Sequence, residues 1–242
     1  MSKAQVIHKK GPPSCMTWED WHVPDPAPGE VRIRHTAVGV NYADTYHRSG
    51  ISHPWPVPDE PVVIGFEGVG IVQGVGDGLT GFEIGDRVAY GIPPLGSYSE
   101  VRNYPANKLL HLPEGLDDKQ VAALLMKGMT AHYLLHRTYA VQPGDTILVH
   151  AAAGGMGLIL CQWAKALGAT IVGTVSTPEK DPFRHGDLHV AIDVETHAPR
   201  YLAISFREHS PCPSCHPSVG WIRCHGNDLD GVCSNDAVLI TV

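Results

Sequence analysis

The chain has 242 residues, of which 43% are hydrophobic and 18% charged, and its formal net charge is −7 at pH 7. This composition is typical of a soluble globular protein with enough residues for one large or two ordinary domains. The negative charge argues against a nucleic-acid or anionic-membrane partner, and the sequence shows no signal-peptide pattern and no apolar run of bilayer length. We therefore expect a cytoplasmic protein without a membrane or nucleic-acid partner.

The first half of the chain, residues 1–123, reads as a β-rich domain. Short apolar runs alternate with clusters of Gly, Pro and Asp at the spacing of a small barrel. The predicted strands are Val31–Val40, Val62–Val75, Arg87–Tyr90 and Ser97–Val101.

A helical stretch follows from Leu116 to Tyr139, with Asp117 or Asp118 as its expected N-terminal cap. It leads directly into the segment Thr146–Lys180, which has the pattern strand, tight turn, helix, strand. The predicted strands are Thr146–His150 and Ile171–Val175, and apolar residues between them recur at helical spacing until Gly168. This order predicts a βαβ unit with a right-handed crossover.

The turn of this unit contains Gly154, Gly155, Met156 and Gly157. Glycines allow backbone N–H groups at a helix start to approach a phosphate, so the turn is a candidate dinucleotide site; the alternative is a turn that only packs tightly. At the end of the second strand, Thr174, Ser176 and Lys180 stand where an NAD site usually carries a carboxylate. This favours NADPH over NADH, although Lys180 has the alternative interpretation of a solvated surface lysine.

Five stretches together resemble a known family: VGVNYADTYHRSG, GFEGVGIV, GDRVAY, LLMKGMTAHYLLHRTYAVQPGD and HAAAGGMGLILCQWAKALGA. From about Val6 to Lys180 the chain is similar to the zinc-free NADPH:quinone oxidoreductases of the medium-chain dehydrogenase/reductase superfamily. The resemblance implies an α/β fold with a GroES-like barrel at 1–123 and a Rossmann NADP-binding domain, here partial, at 124–180. It also implies an active site in the cleft between the domains, NADPH as cofactor and a small quinone as substrate.

The resemblance further implies the roles of individual residues. Asn41 and Tyr46 would lie beside the nicotinamide and the quinone as catalytic residues, with Asn41 also contacting the cofactor. The other cofactor-binding residues would be Thr130, Gly154, Gly155, Met156, Gly157, Thr174, Ser176 and Lys180, the last two near the ribose phosphate.

Other interpretations of the same segment stay open. Asn41 could simply cap a helix, Tyr46 could be a packed aromatic residue, and Glu67 could be a structural hydrogen-bond partner. We expect Asp44 to be structural. His47, like the arginine after it, is expected at the rim of the site because nothing in the sequence supplies an orienting partner.

A zinc site is not expected. Zinc-dependent relatives have a Cys where this chain has Asn41 and a His where it has Phe66, so a thiolate–imidazole site cannot form from these positions. Donors such as Tyr46 or Asn41 could instead stabilise the oxyanion that develops when a quinone accepts hydride. The alternatives are a zinc-free reductase of enals or enones and an inactive, truncated product.

Residues 181–242 do not continue the resemblance, and the chain is expected to be too short to complete both domains. A reading-frame change near Lys180 is favoured as the origin of this tail. The alternatives are a zinc module and a disulfide framework built from Cys212, Cys215, Cys224 and Cys233, with His225 as a further possible zinc ligand. A sheet with only two Rossmann strands would expose its edges and invite aggregation or pairing with another chain. The homodimer typical of the family is doubtful here because such dimers use Rossmann edge strands that this chain is expected to lack.

Overall fold

A computed structural model describes residues 1–51, 59–175, 192–193 and 237–240. The chain divides into two compact units, Met1–Met126 and Lys127–Val242. The first is β-rich and the second contains a parallel sheet, which confirms the predicted combination of barrel-type and α/β architecture. Within the described ranges, no helix has the length and apolarity needed to cross a membrane.

The strands of the first unit form two antiparallel sheets. They are β1 (Ser2–Ile7), β2 (Met16–Trp21), β3 (Glu30–Val38), β4 (Val62–Val63), β5 (Gly68–Val75), β6 (Arg87–Tyr90), β7 (Val101–Pro105) and β8 (Leu110–His111). One sheet has the order β2-β1-β4, and the other has the order β7-β3-β5-β6-β8. Alternate residues of β3 point inward, so that Val31 and Ile33 are buried, as the period of a half-buried strand requires.

Two predicted strands differ from the observed ones because the chain changes sheet within them. The run Val62–Val75 is interrupted at Gly65, which has a φ of 85° and whose carbonyl accepts hydrogen bonds from the backbone N–H groups of Gly96 and Ser97. The run Ser97–Val101 crosses in the same way, and β7 begins only at Val101.

A largely buried polar cluster connects strands β3, β6 and β7 of the larger sheet. His35 lies between Tyr90, whose hydroxyl is 2.6 Å from Nε2, and the carbonyl of Ser99, which is 2.6 Å from Nδ1. The Arg102 guanidinium lies over the rings of Tyr90 and Tyr104, 5.2 and 4.7 Å from their centroids. Burial, together with the charge of Arg102, lowers the pKa of His35 to about 4 against a weaker opposing effect of the Ser99 hydrogen bond, so the imidazole is neutral at pH 7.

Helix α2 (Asp118–Tyr133) starts at the predicted cap and continues as a π-helical segment, Leu134–Thr138. The Asp117 carboxylate accepts hydrogen bonds from the N–H groups of Lys119 and Gln120 at 3.1 and 3.0 Å, so Asp117 is the capping residue. The division between the two units falls within this helix, after Met126.

The second unit is built on the predicted βαβ pattern. Strand β9 (Thr146–Val149) and strand β10 (Thr170–Val175) are parallel and are joined by helix α3 (Gly155–Ala166). Gly168, with a φ of 87°, follows the helix as expected. Apolar residues of the strands and the helix share one core, which includes Ile147, Val149, Leu160, Cys161, Ala164 and Ile171.

The parallel sheet contains more strands than the sequence predicted. Strand β11 (Ile192–Asp193) pairs with β10, and strand β12 (Ala237–Ile240) pairs with β9, which gives the order β11-β10-β9-β12. The expectation of a two-stranded sheet with both edges open is therefore wrong for the described residues. Apart from these two strands, the tail lies outside the described residues, and so do the proposals of a frame-shifted origin, a zinc module and a disulfide framework. The expected domain limits stay a prediction.

Candidate functional site

The turn between β9 and α3 presents a helix start with exposed glycines. Gly154 caps α3 with a φ of −77° and a ψ of 167°, and its carbonyl accepts the hydrogen bond from the Leu158 N–H at 2.9 Å. The backbone N–H groups of residues 155–157 lie in the first turn of α3, so the helix offers them no carbonyl one turn earlier as an acceptor. Gly154 and Gly155 are exposed at this end, and the helix dipole adds partial positive charge there. These features are those of an anion-binding helix terminus.

Gly157 is required by close packing inside the same turn. A Cβ atom built on this residue would lie 2.4 Å from the carbonyl oxygen of Ala151 and 2.5 Å from the Cα atom of Ala152. Both are backbone atoms, so a side chain could be accommodated only if the turn moved. Gly157 thus brings the first turn of α3 against the end of β9, which is the packing role of the last glycine in dinucleotide-binding turns.

The far side of the turn is held by Thr174 of β10. Its hydroxyl accepts a hydrogen bond from the Ala151 N–H at 3.1 Å and lies 3.1 Å from Nδ1 of His150, while its carbonyl accepts from the Ala152 N–H at 2.9 Å. Ala151 has a φ of 51°, a conformation that non-glycine residues rarely adopt, so these bonds hold a strained residue. Partial burial lowers the pKa of His150, so this imidazole is neutral at pH 7.

Lys127 of α2 lies over the helix start. A Cβ atom built on Gly155 would be 3.2 Å from Cε of Lys127, so the lysine side chain passes directly beside the exposed glycine. Thr130, which is partly buried, stands three residues later and therefore on the same face of α2.

In the first unit, Asn41 belongs to a buried hydrogen-bonded group at the start of helix α1 (Tyr42–Ser49). Its side-chain Nδ2 donates to Oε2 of Glu67 at 2.7 Å, and its backbone N–H donates to the Asp44 carboxylate at 2.8 Å. Glu67 is fully buried and also accepts from the Met126 N–H at 2.7 Å. The Tyr98 hydroxyl donates to Asp44 at 2.7 Å, and burial and the nearby Asp44 raise the pKa of this phenol.

This group supports the structural interpretations of its members. Asn41 is the N-terminal cap of α1, Asp44 closes the first turn, and Glu67 joins α1 to the backbone of α2. The Asn41 amide has two N–H bonds, and the Glu67 carboxylate orients it by accepting one of them.

Tyr46 is half-buried on α1, with its ring 5.5 Å from that of the exposed Tyr42 in an edge-on arrangement. His47, one residue later, is fully buried and packs against Phe66 at a ring separation of 5.7 Å. The expectation that His47 lies at a rim is therefore wrong, because the helical turn points it into the core instead. Arg48 donates to the Gly11 carbonyl at 2.7 Å.

Most of the predicted site residues lie in the described part of the chain. Gly154, Gly155, Met156 and Gly157 form the helix start, and Thr174 lies behind it as a support. Ser176 and Lys180 lie outside the described residues. Lys127 was missed, although a single lysine within the apolar run LLMKGM is a signal that could have drawn attention to it. Within the described ranges, no three His, Cys, Asp or Glu residues gather as a metal site would require.

Comparison with known proteins agrees with both units. Residues 27–114 match the alcohol dehydrogenase GroES-like domain. A 2-haloacrylate reductase from a Burkholderia species is 56% identical over 182 residues, covering 74% of this chain and 55% of the relative. A quinone oxidoreductase from Pseudomonas aeruginosa is 45% identical over 222 residues, covering 91% of this chain and 67% of the relative. The second alignment necessarily passes Lys180 into the tail, where no resemblance was expected.

The solved structures give the same result. The crystal structure of Escherichia coli quinone oxidoreductase complexed with NADPH superposes with a TM-score of 0.70 at 44% identity, covering 74% of this chain and 54% of that one. The chain thus spans between about half and two thirds of the length of the relatives it matches. Because the P. aeruginosa relative combines 45% identity with coverage of two thirds of its own length, the chain belongs to the quinone oxidoreductase family of the medium-chain dehydrogenase/reductase superfamily.

Proposed function

We propose that this chain binds NADPH at the start of α3 and reduces a small quinone without zinc. The observation that carries the proposal is the turn itself: exposed glycines at a helix terminus, with Gly157 packed too closely on Ala151 for any side chain. Lys127 adds a positive charge beside the same amides. A pyrophosphate is the ligand that these features would stabilise most.

Bound NADPH would supply the hydride. The Gly154–Gly157 turn and Lys127 would hold its pyrophosphate, with Thr130 contacting the cofactor and Ser176 and Lys180 meeting the ribose phosphate. Thr174 would act mainly by fixing Ala151, since its hydroxyl already accepts the N–H of that residue. The absence of a carboxylate from the end of β10 supports NADPH rather than NADH.

Asn41 and Tyr46 would act on the acceptor. A quinone that receives hydride becomes a hydroquinone anion, and a phenol or amide N–H directed at its oxygen stabilises that charge. Glu67 would orient the Asn41 amide through the 2.7 Å hydrogen bond. Since Asn41 and Phe66 supply neither a thiolate nor an imidazole, the reaction would proceed without zinc.

The test is NADPH oxidation by the purified chain with benzoquinone as acceptor. Tyr46→Phe should lower kcat about tenfold or more because it removes one donor to the developing oxyanion. Tyr42→Phe, on the exposed neighbour of Tyr46, is the matched control and should leave kcat unchanged. Equal turnover by both variants would exclude Tyr46 from the reaction, and inhibition by a zinc chelator would contradict the metal-free mechanism.

A second candidate is reduction of an activated carbon–carbon double bond. The observation that favours it is the 56% identity to a protein named 2-haloacrylate reductase. The same donors would then stabilise negative charge on the carbonyl oxygen of an enone, enal or acrylate. A substrate panel distinguishes the two functions: NADPH oxidation with benzoquinone but not with enones or 2-chloroacrylate supports quinone reduction, and the reverse pattern supports the alternative.

A further inference from the structure

Two histidines lie together on the far end of α2 and its π-helical continuation, with no part in the proposed reaction. His132 is exposed, His136 is half-buried, and their ring centroids are 4.9 Å apart. Spacing of four residues places both side chains on one face of a helix. π-Helical segments such as Leu134–Thr138 occur frequently at functional sites.

The ring separation is that of two imidazoles sharing one metal ion. Histidine nitrogens bind late transition ions at about 2.0–2.1 Å, which places two neighbouring rings on one ion roughly 5 Å apart. The observed 4.9 Å therefore needs little rearrangement.

Trp163 of α3 restricts the movement of both rings. Its ring lies 5.8 Å from that of His132 and 5.5 Å from that of His136, so the three side chains form one packed cluster. A ligand pair held in place loses less conformational entropy on binding than two freely rotating side chains.

We propose that His132 and His136 form a two-histidine site for a divalent late transition-metal ion. Among these ions, Cu²⁺ binds imidazole ligands with the highest affinity, followed by Ni²⁺ and Zn²⁺. Among the residues that the structure describes, no third His, Cys, Asp or Glu completes the cluster, so the ion would keep open positions for water or an added chelator. The site is independent of the proposed oxidoreductase activity.

The probe is Cu²⁺ held by iminodiacetate, which leaves neighbouring positions for two imidazoles and binds single histidines poorly. Binding to the full chain is followed by electron paramagnetic resonance, which reports the coordinating nitrogens, and by quenching of tryptophan fluorescence. His132→Ala and His136→Gln should each weaken binding at least about tenfold, since even the loss of a supporting residue around a metal costs about 10–100-fold. His8→Ala is the control, because His8 is an exposed histidine engaged with Glu19.

A second variant separates binding from fluorescence. Trp163→Phe should remove most of the quenching while the resonance spectrum of the bound ion persists, because the indole reports the ion without ligating it. Unchanged circular dichroism of each variant shows that the fold is kept. The proposal is overturned if the double variant His132→Ala, His136→Gln binds the copper chelate as tightly as the unmodified chain, or if the unmodified chain shows no two-nitrogen spectrum.

Discussion

The close approach of Gly157 to the β9–α3 turn gives a sharp prediction for Gly157→Ala. The added methyl group would lie 2.4 Å from the Ala151 carbonyl oxygen and 2.6 Å from that of Ala152, far inside ordinary contact distance. Since these are backbone atoms, the turn or the helix must shift. Overpacking of this kind costs about 1–3 kcal/mol, which outweighs the gain of up to about 1 kcal/mol from replacing a helical glycine by alanine.

The assay is thermal unfolding together with a fluorescence titration with NADPH. Gly157→Ala should lower the melting temperature and weaken NADPH binding, because the displaced amides no longer converge on the pyrophosphate. Gly128→Ala is the matched control: it lies within α2, and a Cβ built there has no heavy atom within 4 Å. It should stabilise the chain by roughly 0.5–1 kcal/mol. If Gly157→Ala melted as late as Gly128→Ala and bound NADPH normally, the packing argument would be refuted.

Three further changes test the supports of the site and of the barrel. Glu67→Gln should destabilise the chain by about 1–3 kcal/mol in denaturant unfolding. The buried Glu67 carboxylate accepts hydrogen bonds from two N–H groups, and the NH₂ group of the glutamine would leave one of these donors without an acceptor. Thr174→Val should weaken NADPH binding and stability by about 1 kcal/mol because the Ala151 N–H loses its acceptor, and Thr174→Ser should restore both. The stability of the chain should fall as the pH falls from about 6.5 to about 4. In that range His35 takes up a proton when unfolded but not when folded, and the full effect is on the order of 3 kcal/mol.

Each of these has its own control and its own contradicting outcome. Glu114→Gln, at an exposed position, should be neutral, and a Glu67→Gln variant equally neutral would mean that the buried carboxylate is dispensable. Equal loss of NADPH affinity in the valine and serine variants would show that the Thr174 hydroxyl does not hold the turn. His35→Gln should flatten the pH dependence, and an unchanged slope would assign it to other groups.

The sequence predicted the local order of the second unit well because its signals are local. The helix stop at Gly168 and the parallel pairing of β9 with β10 follow from residues close together in the chain. The cap of α2 at Asp117 is of the same kind. The points where the chain passes from one sheet to the other could not be predicted in the same way. The interruption at Gly65 depends on hydrogen bonds to residues about thirty positions later, which no local pattern encodes.

Within the candidate site, residue types were predictable but their partners were not. The Asn41 amide was identified as a possible donor, whereas its orientation by the buried Glu67 appears only in the structure. The position of His47 depends on its helical phase, which points it at Phe66 and into the core rather than to a rim. A single lysine in a helix is usually solvated, so the sequence gives little signal for Lys127, and only the fold brings it beside Gly155.

The most direct measurement of the central proposal is the response of individual backbone amides to NADPH in nitrogen–proton correlation spectra of the full chain. We expect the amides of Gly155, Met156 and Gly157 to shift progressively and saturate together, with a weaker response to NADH at equal concentration. Saturable NADPH binding that leaves these three amides unmoved would contradict the assignment of the turn as the pyrophosphate site.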